Sequence, residues 1–160
     1  MIERLRKAGF DVGISQTSPA SARLLVRSGA ETLVVDLVAE PIPALEPSEW
    51  VDRGGHKLRI DSAHEILVNK LCALLHRSEL RDLLDVEALL AHGEDLERAL
   101  SDAPKKEAGF SPLTLVWVVR ELPIDAMARA SGMSTMEGER ASSFRGELID
   151  RIVKLAEPPR

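Results

Sequence analysis

Apolar positions recur with a period of two between residues 10 and 38, and with the helical period of about 3.6 from residue 62 onward. The first pattern reads as an antiparallel meander. Its strands cover 10–16, 22–26 and 32–38, with a Ser-Pro turn over 17–21 and a Ser28-Gly29 turn between the second and third. An amphipathic stretch at 2–8, closed by Gly9, reads as a short helix before them. In the third strand Leu33, Val35 and Leu37 share one face while Val34, Asp36 and Val38 share the other. Asp36 is thereby expected at an inward-facing position in a valine run, where a carboxylate needs a partner.

Three prolines within 41–47 predict a surface connection, because fixed φ angles disfavour both helix and central strand. A short extended segment follows Gly54-Gly55 and runs through Leu58 and Ile60. Ser62 with Glu65 three residues on predicts a capping box, the serine and glutamate each satisfying a backbone donor of the other. The helix it opens is expected to break near Ser78. Further helices are expected at 80–91, closed by His92-Gly93, at 95–103, ending before Pro104, at 112–121, with Ser111 as cap and Pro112 at the first position, and at 144–156. The charged piece 104–107 reads as a solvated turn and 131–143 as a loop. The fold class is therefore α+β: a small, mostly antiparallel sheet within 1–60, followed by a helical C-terminal bundle over 61–160 that packs with it as one unit.

The stretch 65–86, EILVNKLCALLHRSELRDLLDV, sets charges among leucines. On one continuous helix Lys70, Arg77 and Arg81 would lie within about 40° of one another, beside Ile66, Leu67 and Leu74. Asp82 and Asp85, at i and i+3, stand where they can neutralise those cations or meet a ligand at the same edge. Two readings fit. One is a helix hairpin held by internal salt bridges with snorkelling stems; the other is a ligand site, since perturbed charges collect at functional positions. On the residues alone Asp36 reads as an aspartate paired with an arginine.

Composition narrows the classes. The chain has 160 residues, a net charge of −5 and 29% charged residues, which describes one domain's length and no general basic surface for nucleic acid. A local basic groove remains compatible with it. Cys72 is the single cysteine, so there is no disulfide framework and no CxxC pair, and His56, His64, His76 and His92 lack zinc-site spacing. No apolar run reaches the ~20 residues of a membrane span, and the basic N-terminus lacks the apolar core of a signal peptide. No membrane partner and a cytoplasmic location are expected.

The run K-L-C-A-L-L-x-R-x-x-x-R-D-L-L-D-V at 70–86 resembles, without gaps, the third conserved block of the AbiEii/AbiGii-type nucleotidyltransferases, the toxin half of type IV toxin–antitoxin systems. The strand ending V-D-L-V at 35–38 resembles the family's second block. The stretch 94–110, with its Gly-Phe, resembles part of the family's helical C-terminal portion. The resemblance implies transfer of a nucleotide from an NTP to tRNA, another RNA or a protein, with Mg2+, and a cognate antitoxin as partner. It makes Asp36 a catalytic, metal-holding carboxylate and sets Lys70 on the nucleotide phosphates. It makes Asp82 the acid that orients Lys70 or Arg77, or accepts a proton from the incoming hydroxyl. Arg77, Arg81 and Asp85 would touch the nucleotide or support the residues that do.

The family's first block, a G-G or G-S turn followed by D-x-D on a strand, has no counterpart within 1–29. The expectation is either an internal start at Met1 or a lost block. One carboxylate does not replace three in holding a pair of metals, so these residues alone are expected to show little or no transferase activity. The alternative is a degenerate nucleotidyltransferase-like scaffold that binds an antitoxin or regulator through its helical half.

Overall fold

The computed structural model describes residues 2–39 and 41–156. The chain divides into two compact units, Met1–Pro43 and Ala44–Arg160.

The first unit is a helix on a three-stranded sheet. Helix α1, Ile2–Lys7, is followed by β1, Asp11–Ser18, β2, Ser21–Ser28, and β3, Glu31–Val38. The strands form an antiparallel meander in the order β1-β2-β3. Gly9, at φ +90°, ends α1 in a conformation that L side chains avoid. Ile2 and Leu5 of α1 lie against Val12, Leu24 and Val26, joined by Ala22, Val35 and Leu37. That packing decides which face of β3 is inside. Val35 and Leu37 turn to the core, while Val34, Asp36 and Val38 are exposed. The inward position expected for Asp36 is thus corrected: α1 packs on the face that carries Val35 and Leu37, and Asp36 alternates onto the opposite one.

The second unit begins with an antiparallel hairpin, β4, Glu49–Arg53, and β5, His56–Ile60. Gly54 and Gly55 supply the positive φ angles of its two-residue turn, +62° and +79°. Six helices follow: α2, Ala63–Arg77; α3, Leu80–Ala91; α4, Leu96–Lys106; α5, Pro112–Arg120; α6, Ile124–Ala130; and α7, Thr135–Ala156. Helix α2 lies against α3, α4 and α5, and α7 lies against α3, α5 and α6. Leu67, Leu71, Leu74, Leu83, Leu115, Leu148 and Ile152 fill the space between them. The α+β class holds, with the sheets small and antiparallel and the helices in the C-terminal half. No described helix is long and apolar enough to cross a membrane.

Several local expectations are corrected. Helix α4 does not stop before Pro104 but runs through it to Lys106. A proline in the last turn removes one hydrogen bond there, and Lys106 is drawn inward by an ion pair with Glu65 of α2. The segment 104–107 is therefore no solvated turn: Lys106 and Glu65 are both buried. Ser62 does accept the Glu65 amide at 3.1 Å, but the glutamate does not return the bond. Its carboxylate accepts instead from the Leu45 amide at 2.6 Å and pairs with Lys106. Ser111 occupies the N-cap position of α5 without a side-chain cap bond.

The expected loop over 131–143 is mostly helix. A full capping box opens α7: Ser134 Oγ accepts the Glu137 amide at 3.3 Å, and Glu137 accepts the Ser134 amide at 2.8 Å. Gly138 lies within that expected loop, yet it is there for packing. A Cβ at Gly138 would sit 3.3 Å from the Ala128 Cβ, so its absence lets α7 approach α6. The strand β4 and the helix α6 are additional to the sequence reading.

Glu65 and Lys106 yield the first expected outcome. Lys106→Met leaves a buried carboxylate without its cation and is expected to destabilise the protein by about 3–5 kcal/mol in urea unfolding. Adding Glu65→Gln, which keeps an acceptor for the Leu45 amide, is expected to restore most of that loss. A Lys106→Met protein as stable as the parent would show that the pair is not formed.

Candidate functional site

The candidate site is the corner where α2 hands over to α3. Ser78 ends α2 in the left-handed region, φ 51° and ψ 45°, and its hydroxyl donates to the Leu74 carbonyl at 3.2 Å. It is the single non-glycine residue with positive φ among those described. The reversal turns the first residues of α3 back on the last turns of α2. Asp82, in the first turn of α3, then meets the cations of α2 while sitting at the positive end of its own helix dipole.

Asp82 has no exposed surface and receives three donors. Arg77 grips it with a fork, Nε to Oδ2 at 2.7 Å and Nη2 to Oδ1 at 2.8 Å. Lys70 Nζ donates to Oδ1 at 3.0 Å. Lys70 also pairs with Asp85, one turn further along α3. The four charges cancel formally, two cations against two carboxylates. Exposure grades outward: Asp82 is sealed, Lys70 is 24% exposed, Arg77 45% and Asp85 48%.

The protonation states follow from that geometry. Burial pushes the Asp82 carboxyl up, but hydrogen bonds from Arg77 and Lys70 outweigh it and hold the group below the ordinary aspartate value. Burial pulls Lys70 down, and its bonds to Asp85 and Asp82 leave it above the ordinary lysine value. Lys70 is thus an ammonium at neutral pH and serves as a fixed positive charge. Asp82, sealed and holding three donors, keeps the Lys70 and Arg77 head groups in place. Cys72, half-buried on the same helix, is pushed up to about 11 by burial, which keeps its thiol protonated and unreactive near neutrality.

Of the expected site residues, the structure brings together Lys70, Arg77, Asp82 and Asp85. Arg81 is not with them. The break at Ser78 ends the register that would have aligned it with Lys70, and it pairs with Glu79 at 2.7 Å. Asp36 belongs to the first compact unit and has its own partner, Arg23, whose fork reaches it at 2.7 and 2.9 Å. The side-chain hydrogen bond from Arg23 holds the Asp36 carboxyl below its ordinary value. Among the described residues no group of three or more His, Cys, Asp or Glu side chains is placed to hold a metal. A carboxylate already forked by a guanidinium, and outside any metal-holding cluster among the described residues, does not fit a magnesium site.

Contacts the sequence did not announce surround the start of α2. His64 is buried and bonds Asp102 of α4 through Nε2 at 2.9 Å, while Arg98 of α4 reaches Glu46 at 2.6 Å. These partners lie tens of residues apart, and no local spacing pairs them. An apolar hollow of about 400 Å³ beside Ser78 is lined by Leu75, Trp117, Val118, Leu122 and Met127. Leu75 stands roughly 140° around α2 from Lys70, so this hollow is not an extension of the charge cluster.

Removing the sealed acid separates its role from that of its exposed neighbour. Asp82→Ala is expected to destabilise by about 3–5 kcal/mol, lowering the melting temperature by on the order of 10 °C, whereas Asp85→Ala changes stability by under about 1 kcal/mol. Because the folded carboxyl of Asp82 lies below its unfolded value, its contribution is present above about pH 4 and is lost as pH falls through the lowered value. Asp82→Asn is therefore expected to flatten the acid limb of a plot of stability against pH. Equal losses for the two alanine variants would contradict the assignment.

Comparison with protein families gives one finding over most of the chain. A family model described as nucleotidyl transferase AbiEii toxin, type IV TA system, matches residues 7–144. Comparisons with curated proteins and with solved structures return no match. The match includes the Asp36 strand, the α2–α3 corner and the helices behind it, and the chain belongs to the AbiEii family of type IV toxin–antitoxin nucleotidyl transferase toxins.

Proposed function

We propose that this scaffold serves nucleotidyl transfer from an NTP to an RNA or protein acceptor, with Mg2+ as the family's metal, and that Lys70 is its phosphate-facing cation. The observation carrying this reading is the state of Lys70. It is an obligate ammonium, anchored from below by sealed Asp82, with an exposed edge that one half-exposed acid, Asp85, covers. A triphosphate carries more negative charge than Asp85 and can displace it from that edge. Arg77, anchored by the same carboxylate and nearly half exposed, offers a second positive group beside it. Lys70 and Arg77 bind and orient charge here.

Residues 1–160 by themselves are proposed to sustain little or none of this transfer. Asp36 is engaged by Arg23, Asp82 by Arg77 and Lys70, and no described cluster offers the several carboxylate oxygens that a magnesium pair takes. The type IV toxin–antitoxin family implies a cognate antitoxin. A second reading, a scaffold that engages such an antitoxin or a regulator, is favoured by one observation, the mutual neutralisation of Lys70 and Asp82.

Two measurements divide these readings. Incubation with α-labelled NTPs, magnesium, total RNA and protein is expected to leave acceptors unlabelled by this chain; magnesium-dependent labelling would refute the proposed incapacity. Nucleotide binding by calorimetry is expected to fall at least about tenfold in Lys70→Met and to survive in Asp85→Asn, whose edge is then uncovered. Unchanged affinity in Lys70→Met would remove its phosphate role and leave the scaffold reading.

A further inference from the structure

The β4–β5 hairpin is exposed on both faces: of its ten strand residues Val51 alone is half-buried. A two-stranded ribbon has no core of its own, so its side chains are available to something else. The register sorts them into two dissimilar faces. Trp50 stands opposite Arg59 and Asp52 opposite Lys57 on one face; Glu49 with Ile60, Val51 with Leu58 and Arg53 with His56 make the other. The apolar residues other than tryptophan lie on the second face. Trp50, 68% exposed, has only cations and one acid as face neighbours.

The acid is engaged elsewhere, since Asp52 Oδ1 accepts the Gly55 amide at 3.0 Å and closes the turn. Lys70, Arg77, Arg81, Arg98, Lys105, Lys106 and Arg140 of this unit have carboxylate partners. Neither Lys57 nor Arg59 pairs with an acid among the described residues. In a chain of net charge −5, an exposed indole flanked by two uncommitted cations is a local reversal of sign.

We propose that this face docks an unpaired polynucleotide strand, a base stacking on Trp50 while neighbouring phosphates meet Lys57 and Arg59. Stacking is indifferent to base identity, and the two cations, two residues apart on one strand, track a backbone rather than a point charge. A protein partner would find its apolar contacts on the opposite face. The inference deepens the acceptor side of the proposed function and rests on that reading for its biological sense. Its test uses neither NTP nor metal, so failure to dock and failure to transfer are separate results.

The chain has two tryptophans and no tyrosine, so Trp117→Phe leaves Trp50 as the one indole emitter. Titration of that protein with oligouridylate is expected to quench its emission, with affinity falling as salt rises. Replacing Lys57 and Arg59 together by Gln is expected to weaken binding at least about tenfold and to reduce the slope of log affinity against log salt by about 1.4, two phosphate contacts' worth. Read by the anisotropy of end-labelled oligouridylate, since it removes the emitter, Trp50→Leu is expected to lose about tenfold, and Trp50→Phe less. The glutamine pair, at exposed sites, keeps the test valid if Trp50→Leu unfolds the ribbon. Absence of quenching, an affinity untouched by the glutamine pair, or equal quenching by oligoglutamate would each overturn the proposal, the last in favour of an acidic protein segment.

Discussion

A carboxylate with no exposed surface, set in the first turn of a helix, organises the second unit of this protein. Asp82 is unfavourable where it lies unless its oxygens are filled, and they are filled by Arg77 and Lys70 from the preceding helix. That requirement fixes the angle of the corner. The left-handed backbone at Ser78 is the reversal that brings residues 77 and 82 into fork geometry. Once the corner is set, Leu80, Leu83 and Val86 of α3 are directed into the leucines of α2, and the remaining helices pack around that pair.

Helix α2 is secured at its other end by the same kind of contact. Glu65 and His64 in its first turn meet Lys106 and Asp102 of α4, so the helix is held at both ends by buried polar contacts with an apolar middle of Leu67, Leu71 and Leu74. Buried ion pairs contribute little net stability compared with apolar residues of equal volume, but half of one is strongly unfavourable. Such pairs therefore act against misalignment: a register shift of α3 or α4 on α2 would strand a charge. In the AbiEii family context, the consequence at the corner is a lysine and an arginine presented at fixed positions with the acid beneath them already satisfied.

What the sequence revealed follows the range of the interactions involved. The meander of β1 to β3, the limits of α3 and the corner near Ser78 were legible, since alternation, the His92-Gly93 stop and a polar residue between two leucine-rich stretches are all local signals. The cluster of Lys70, Arg77, Asp82 and Asp85 was legible too, because its members lie within sixteen residues of one another along two consecutive helices. Arg81 was misplaced because the helical wheel was carried across a break. Asp36 was turned inward because an alternating strand has two equivalent faces until something packs on one, and α1 is what chose. Pro104, Gly138 and the 104–107 segment misled for one reason: each is a local stop or solvent signal overruled by a distant partner, Glu65 in two cases and Ala128 in the third.

A double-mutant cycle on Asp82 tests this account most directly. Unfolding free energies of Asp82→Asn, Lys70→Met, Arg77→Met and the two doubles give the coupling of the carboxylate to each cation. The expected result is a coupling above about 1 kcal/mol in both cycles, with the arginine cycle the larger because its bond is a fork. Additive losses, with couplings near zero, would mean that the corner stands without its acid and would contradict the account.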